Sequence, residues 1–302
     1  MAPQPFTPMG CHPGGAAFAA ALAFLACAGP ARAQTAATSA AATPVTALPD
    51  VTLPIGVPAG TAPDWIVTIG VGGEFGPKYP GSDRSGFSVV PSDFDIRRAD
   101  EPAGLGAPDD SFELALIDLD RFSMGPAAGY RTGRSPTDDP GLYGLAEVPV
   151  TLDVGGFAEY WLVPDALRAR IELRQAVKTT QGLLADVSAD WFRRFGPVTV
   201  SLGPRLSVGD TAYMRTMYGV TETEALANGV VTPFQPSGGV QSYGALASLS
   251  YAFSPSWSAT AYGRVDKLVG DAADSPITRS FGSDYQTTVG LGVSYSFGVA
   301  TP

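Results

Sequence analysis

Residues 167–192 alternate between apolar and polar or charged residues in two long arms, and this pattern limits the folds open to the chain more than any other part of the sequence. In its first arm, apolar residues occupy every second position from Leu167 to Leu173, and charged residues fill the positions between them. After a polar connection over residues 177–182 the alternation resumes in a second arm. Successive side chains of a strand point to opposite faces, so the pattern predicts a β-hairpin with one apolar and one charged face. Soluble sheets alternate too, but their strands usually have about five or six residues.

The same alternation recurs along the chain, and several of its runs have ten or more residues. The predicted strands cover residues 65–75, 87–90, 94–97, 112–119, 122–131, 152–162, 167–176, 183–192, 198–208, 243–253, 257–266 and 285–297. Pro91-Ser92-Asp93 is predicted to be a turn, and residues 99–111 are predicted to be a loop because they are rich in Pro, Gly and Asp. The pattern therefore predicts about twelve strands.

Connections between these strands alternate between long and short. The long ones cover residues 270–284, 209–240, 177–182 and 132–150, and the short ones centre on Pro255, Gly196, Pro164 and Asp120. Outer-membrane barrels have long extracellular loops and short periplasmic turns. The prediction is an all-β fold, an antiparallel transmembrane β-barrel with every long loop outside. Aromatic residues near the strand ends are expected to form interfacial girdles: Trp65, Trp191, Trp257, Tyr251, Tyr295 and Phe297.

Composition agrees with this fold and narrows the function. Charged residues are 16% of the chain, and 36 Gly and 27 Pro suit strands joined by turns. After the N-terminus no apolar run is long enough for a transmembrane helix. The net charge of -10 argues against a nucleic-acid partner, because phosphates would be repelled.

The N-terminal region is predicted to be a targeting segment. Residues 16–28 form an apolar run, and Ala31-Arg32-Ala33 fits a signal cleavage site, which gives a signal peptide over residues 1–33. The alternative is a lipid anchor at Cys27, although Phe24 stands where a leucine is expected. Residues 34–63 read as a flexible periplasmic leader, with a lumen plug as the alternative, and residues 64–302 as the barrel.

Cleavage after Ala33 would remove every thiol and imidazole from the protein. Cys11, Cys27 and His12 are the only Cys and His of the chain. Ser-His and Cys-His catalysis and imidazole or thiolate metal sites then become impossible. We therefore expect a protein that is not an enzyme and has no cofactor. Asp271, Asp274 and Asp284 do not have the spacing of a Ca²⁺ loop.

The last predicted strand carries an assembly signal. Gly292, Tyr295 and Phe297 resemble the C-terminal signature by which outer-membrane barrels are recognised by the barrel assembly machinery. Five residues, 298–302, follow the terminal aromatic. The expected partners therefore include this machinery and outer-membrane lipid.

Several short motifs between residues 65 and 297 resemble the MipA/OmpV family of outer-membrane proteins. They are Pro77, Tyr79, Gly81-Ser82, Gly125-Pro126, Tyr130-Arg131, Gly133-Arg134, Gly156-Phe157, Glu159-Tyr160, Gly203-Pro204-Arg205, Tyr213-Met214, Tyr218-Gly219-Val220-Thr221 and Gly270-Asp271-Ala272-Ala273-Asp274-Ser275-Pro276-Ile277. The resemblance implies an outer-membrane barrel whose namesake links a lytic murein transglycosylase to a peptidoglycan synthase. Other relatives are regarded as porin-like or as adhesins, so the resemblance indicates location more strongly than activity.

A row of charged residues is expected to face the lumen of the barrel. Its members are Arg168, Arg170, Glu172, Arg174, Asp186, Asp190, Arg205, Arg264 and Asp266. One interpretation is a pore lining that selects small solutes. The other is a ladder of cross-strand salt bridges that fills a narrow barrel.

Two functions therefore remain open, a scaffold linked to murein synthesis and a porin-like channel, and an outer-membrane hydrolase is disfavoured by the loss of His. The loop over residues 213–239 leaves three possibilities: an extracellular binding surface, a lid in the barrel mouth, or a variable exposed loop.

Overall fold

The protein is described by a computed structural model over residues 63–177 and 182–300. The predicted signal peptide and residues 34–62 of the predicted leader lie outside this range. The described residues contain one sheet of twelve strands. The strands are β1 (Trp65–Pro77), β2 (Ser85–Arg98), β3 (Phe112–Glu113), β4 (Ile117–Leu119), β5 (Phe122–Arg131), β6 (Thr151–Val163), β7 (Leu167–Ala176), β8 (Leu183–Phe195), β9 (Val198–Gly209), β10 (Gly239–Ala252), β11 (Trp257–Leu268) and β12 (Tyr285–Val299).

The sheet curls into a nearly closed antiparallel barrel, which confirms the predicted fold. The hydrogen-bonded order is β2-β1-β12-β11-β10-β9-β8-β7-β6-β5-β3, and β4 also pairs with β5. The first and last strands join along eleven residue pairs, from Trp65 with Val299 to Phe75 with Val289. Between β2 and β3–β4, a junction that we call the seam, no ladder is present among the described residues. There the rings of Phe94 and Phe112 meet edge to face, 6.0 Å apart.

The predicted number of twelve strands is correct, although two of the predicted regions differ from the observed strands. The two strands predicted around Pro91 are a single strand, β2, so the turn predicted at Pro91-Ser92-Asp93 is wrong. Gly70 pairs with Asp93 and Val71 with Pro91, which leaves Ser92 as an extra residue in a bulge. A bulge lets a strand accommodate proline, which has no N–H to donate to a ladder. The run predicted over residues 112–119 is instead split into β3 and β4.

The outer face of the barrel carries a belt of exposed apolar side chains. The belt includes Ile69, Val71, Val89, Leu152, Ile171, Leu173, Leu202, Leu249 and Leu291. An apolar surface of this extent is expected to face lipid. Trp65, Trp191, Tyr251 and Trp257 are also exposed and lie at or near strand ends, as predicted for an interfacial girdle.

The two ends of the barrel differ in their connections. At one end, the short-turn end, strands are joined around Asp120, Asp165, Gly196 and Pro255. At the other, the long-loop end, lie residues 78–84, 132–150, 210–238 and 269–284. The expectation that every long connection lies at one end is wrong for residues 99–111, which leave β2 at the short-turn end. Because residues 85–98 form one strand rather than two, residues 99–111 begin at the short-turn end instead of the long-loop end.

Short helices occur in the long loops. They are a 3₁₀ turn (Pro140–Leu142), α1 (Thr211–Tyr218), α2 (Glu222–Asn228), α3 (Gly270–Asp274) and α4 (Pro276–Phe281). Within the described ranges, no helix has the length and apolar character needed to cross a membrane.

Candidate functional site

The predicted charged row lies on the inner face of the barrel, on the strands β7, β8, β9 and β11. Arg168 is directly opposite Asp190, whereas Asp186 is opposite Glu172 rather than an arginine. Arg174 reaches Asp186 along the diagonal, with 2.5 Å between its Nη2 and the Asp186 Oδ2. The structure therefore brings the row together, with a register that mixes direct and diagonal pairs.

Arg168 and Arg170 are the most buried arginines of this row. The Arg168 side chain is 2% exposed, and its guanidinium lies 3.2 Å from Glu159 and 3.0 Å from Asp190. Arg170 lies 3.0 Å from Glu159 and 2.6 Å from Glu172, and it also contacts Glu113. The guanidinium of Arg170 stacks over Phe157, 4.4 Å from the ring centroid. Buried charges of this kind are stable only when they are paired, as they are here.

Arg205 and Arg264 extend the row around the barrel. Arg205 Nη1 lies 2.8 Å from Asp190, so Asp190 is shared between Arg205 and Arg168. Arg264 Nε lies 2.7 Å from Asp266, two residues away on the same strand. Together with Glu159 and Glu113, the nine predicted residues form what we call the charged wall.

Residues 99–111, which we call the plug, cross the lumen and bind this wall. Asp109 accepts hydrogen bonds from Arg205 Nε at 2.8 Å, Arg205 Nη2 at 2.9 Å and Arg264 Nη1 at 3.0 Å. Asp110 accepts from Arg168 Nη2 at 2.8 Å. Because β7, β9 and β11 are alternate strands of the sheet and these arginines lie on its inner face, one segment contacts all three strands from within the lumen.

Sequence reasoning missed four carboxylates of this site: Asp109, Asp110, Glu113 and Glu159. The plug has no alternation, so its register relative to the strands could not be read from the sequence. One signal was available. The predicted row holds five arginines but only four carboxylates, and an uncompensated buried charge requires a further partner.

With these carboxylates included, each arginine of the wall faces at least two acidic groups. The wall then holds its positive charges in a paired network rather than presenting them to solvent. This geometry favours the salt-bridge interpretation of the row over that of an open selectivity element.

Opposite the charged wall, β1 and β12 present a wall of small residues. Gly70, Gly72, Gly290 and Gly292 lie there. The Tyr262 ring packs over Gly290 so closely that a Cβ at this position would lie 2.3 Å from the ring. Between the two walls lies a cavity of about 1220 Å³. Its lining includes Gly72, Glu74, Ser92, Tyr262, Thr288 and Ser296.

Glu74 links three strands across this cavity. Its carboxylate accepts hydrogen bonds from Tyr262 of β11 and, at 3.4 Å, from Tyr130 of β5. Since β5 and β1 lie on opposite sides of the seam, this contact and the Phe94–Phe112 pair join the barrel there through side chains.

The long-loop end is covered by a packed structure that we call the cap, made of residues 78–84, 132–150, 210–238 and 269–284. Its apolar core has two clusters. The first contains Tyr79, Leu142, Leu145, Val220, Ala225, Val231 and Ile277. The second contains Val148, Tyr213, Met214, Met217, Tyr218, Leu268 and Ala272. Because these residues come from four different loops, their packing fixes the loops to one another.

Buried polar contacts fix the cap further. Arg134 is almost fully buried and donates to the Met217 carbonyl, while the Ser275 hydroxyl donates to the Tyr218 carbonyl at 2.7 Å. Burial lowers the pKa of Arg134 and raises that of Tyr218 well above its usual value. Burial, assisted by the nearby Asp139 carboxylate, raises the pKa of Tyr79 to about 12.

Helix caps shape the loop between β9 and β10. Asp210 caps α1 by accepting from the Tyr213 N–H at 2.7 Å. Thr221 and Glu224 form a reciprocal capping box at the start of α2. Glu224 also accepts from the Ala146 N–H at 2.8 Å, which ties α2 to another loop. Burial alone would raise the pKa of Glu224, but hydrogen bonds from Thr221 and Ala146 lower it.

Of the three possibilities for residues 213–239, the structure shows a lid. The side chains of Tyr213, Met214 and Met217 are buried in the cap, whereas the outer surface of the loop, including Leu226, is exposed. The aspartates considered for Ca²⁺ are engaged separately: Asp271 accepts from the Ser237 N–H, Asp274 pairs with Arg279, and Asp284 pairs with Lys267.

A model of the family described as MltA-interacting protein MipA matches residues 69–297. The chain belongs to the MipA family. The matched region runs from β1 to β12 and therefore includes the charged wall, the plug and the cap. With the apolar belt, family membership identifies the protein as an outer-membrane β-barrel, and it confirms the resemblance found in the sequence. No curated protein matches the sequence significantly.

Several solved outer-membrane barrels are similar to this chain at low identity. The N-terminal barrel of Pseudomonas aeruginosa OprF is 17% identical, with 59% of this chain and 98% of that chain covered and a TM-score of 0.25. The NanC porin is 9% identical, with 76% and 98% covered and a TM-score of 0.32. OmpT of Vibrio cholerae is 7% identical, with 78% and 97% covered and a TM-score of 0.29. These likenesses are too weak to support an argument about function.

Proposed function

We propose that this protein is a non-enzymatic outer-membrane scaffold that holds a murein-processing enzyme at its short-turn end. The observation that carries the proposal is the closure of the lumen. The cap covers the long-loop end, and the charged wall is paired internally and with the plug. A barrel closed in this way is suited to binding a partner rather than to passing solutes.

The orientation of the barrel follows from the general rule for this class. Long loops lie outside the cell and short turns face the periplasm. A signal peptide cleaved near Ala33 would deliver the chain to that compartment. The short-turn end, together with the leader, would then face the murein layer.

The short-turn end offers a polar contact surface for such an enzyme. Asp118, Asp120, Asp165 and Arg194 are exposed there. The first residues of the plug, including Pro102, are also exposed. The family description names MltA as the partner of its namesake. The family resemblance implies that this namesake links a lytic murein transglycosylase to a peptidoglycan synthase, which supports a partner of this type.

Assembly of the barrel belongs to the same proposal. Gly292, Tyr295 and Phe297 lie on β12, where Tyr295 contacts both Trp257 and Phe297. We assign them to recognition by the barrel assembly machinery, with membrane lipid as the final environment.

The test is capture of a lytic murein transglycosylase by the mature protein purified from outer membranes. We expect wild-type protein to retain the enzyme and Asp118→Lys/Asp120→Lys to lose it. Leu226→Lys, an exposed substitution in the cap, is the matched control and should retain it. Failure of wild-type protein to bind any murein transglycosylase or synthase, with the barrel folded, would contradict the proposal.

The cavity of about 1220 Å³ keeps a porin-like channel as the second candidate. A channel requires the cap to open, because the cap covers the long-loop end. Steady conductance of wild-type protein in a planar bilayer would favour this candidate.

A further inference from the structure

The plug holds the arginines of the charged wall as a bound ligand would. Asp109 meets Arg205 through two parallel hydrogen bonds, Nε to Oδ2 at 2.8 Å and Nη2 to Oδ1 at 2.9 Å. This is the bidentate geometry in which a guanidinium binds a free carboxylate. Arg264 donates to the same Asp109 carboxylate, and Arg168 donates to both oxygens of the adjacent Asp110.

Little besides these contacts fixes the plug to the barrel. It pairs with no strand in the described chain. Its own hydrogen bonds run from the Ala107 N–H to Asp110 Oδ2 at 2.8 Å and from the Asp110 N–H to the Ala107 carbonyl at 3.1 Å. Where the plug leaves β2, the Ala99 N–H donates to the Asp64 carbonyl at 2.9 Å. Ser111 donates to Glu172, and Arg194 donates to the Ala103 carbonyl. The plug can therefore leave the wall without breaking a sheet.

The charge balance at the wall allows another carboxylate ligand to replace the plug aspartates at the arginines. Without the plug, Arg168 still faces Glu159 and Asp190. Arg205 still faces Asp190, and Arg264 still faces Asp266. The wall itself has five arginines and six carboxylates, so the two plug aspartates are held by hydrogen-bond geometry and not by an excess of positive charge.

The site can be reached from the short-turn end. The plug starts there, and its residues 99–104 are exposed. The cavity next to the wall is also lined at this end by Asp118 and by the turn around Pro255. A small molecule entering here would reach the arginines without passing the cap.

We infer that Arg168, Arg205 and Arg264 form a binding site for a compact dicarboxylate, and that Asp109 and Asp110 occupy this site as an internal ligand. A dicarboxylate entering from the short-turn end displaces the plug and takes over its hydrogen bonds. This site is independent of the proposed scaffold function, because enzyme capture and dicarboxylate binding are measured separately.

The first test follows the plug itself, with succinate as the probe. Ala107 is a plug residue that is buried while the plug is docked. The mature protein is predicted to contain no cysteine, so Ala107→Cys provides a unique thiol. If succinate releases the plug, labelling of this thiol by a maleimide should accelerate by about tenfold. Succinamide, which has the same shape without charge, should leave the rate unchanged.

Gly104→Cys is the matched control, because position 104 is exposed with open space around it. Its labelling rate should not depend on succinate. An unchanged rate at position 107 in saturating succinate would overturn the inference, as would equal acceleration by succinamide.

The second test removes the internal ligand. Asp109→Asn/Asp110→Asn should bind succinate about tenfold more tightly than wild-type protein in calorimetry, because the plug no longer competes. Asp165→Asn, at an exposed carboxylate of the short-turn end that does not line the cavity, should bind as wild-type does. Heat-dependent gel mobility reports whether each barrel is folded. Unchanged affinity in a folded Asp109→Asn/Asp110→Asn barrel would refute competition by the plug.

Discussion

The barrel is closed in two physically different ways. At the long-loop end, four loops pack an apolar core in which Met217 and Tyr218 are almost fully buried. Inside the lumen, closure depends on ion pairs, with Arg168 in contact with Glu159, Asp190 and Asp110. Apolar packing depends on volume and shape, whereas a buried ion-pair network depends on every charge having its partner. The two closures should therefore respond to different substitutions.

The largest effect is expected in the charged wall. Arg168→Met leaves Asp190 and Glu159 short of a buried counter-charge, which should lower the free energy of unfolding by about 3–5 kcal/mol. Urea unfolding of the barrel in detergent, followed by tryptophan fluorescence, measures this change. Arg215→Met, on the exposed side of α1, is the control and should cost under about 0.5 kcal/mol. Equal losses in both variants would show that the wall is not held by its charges.

In the cap, a loss of volume should act locally. Met217→Ala removes a fully buried side chain from the second apolar cluster and should destabilise the cap by about 2–4 kcal/mol. Limited proteolysis should then cut residues 210–238 faster, while heat-dependent gel mobility still reports a folded barrel. Leu226→Ala, at a side chain that is 85% exposed, should leave the cutting rate unchanged. Loss of the whole barrel in Met217→Ala would show that cap and barrel are one cooperative unit.

The smallest effect concerns the pH dependence of the cap. The folded-state pKa of Glu224 lies below its unfolded value, so this carboxylate stabilises the cap above the unfolded pKa, and the contribution is lost as pH falls through the folded pKa. Glu224→Gln should cost about 0.5–1 kcal/mol at pH 7, a modest value because solvent screens the partly exposed group.

Proteolysis of the same loop at pH 7 and at pH 3 measures the effect of Glu224→Gln. The wild type should approach the variant at the lower pH. Glu222→Gln, at an exposed neighbour, is the control. A difference between wild type and Glu224→Gln that persists undiminished at pH 3 would contradict the assignment.

The sequence predicted those parts of the fold in which alternation is regular. β7 to β12 lie where the pattern placed them, because one face must meet lipid and a shift of one residue would reverse every side chain. The charged row was found for the same reason, since residues such as Arg168 and Glu172 share the inner face of one strand.

The rest of the site could not be predicted because it depends on contacts between distant segments. A bulge at Ser92 carries β2 through a proline that suggested a turn, and this changes the end at which residues 99–111 begin. Asp109 reaches its partners Arg205 and Arg264 only after the barrel has closed. The cap could not be predicted for the same reason, because no local sequence pattern indicates that distant residues such as Tyr79 and Ile277 pack together.

The most direct test of closure is single-channel conductance of the mature barrel in a planar bilayer, with Arg170→Ala measured beside it. A lumen closed by the cap and by the paired wall predicts that wild-type protein is silent. Arg170→Ala should also be silent if it folds, because the cap is intact. Steady wild-type conductance whose ion selectivity changes in Arg170→Ala would contradict the closed lumen and would identify the arginine row as the lining of a solute pore.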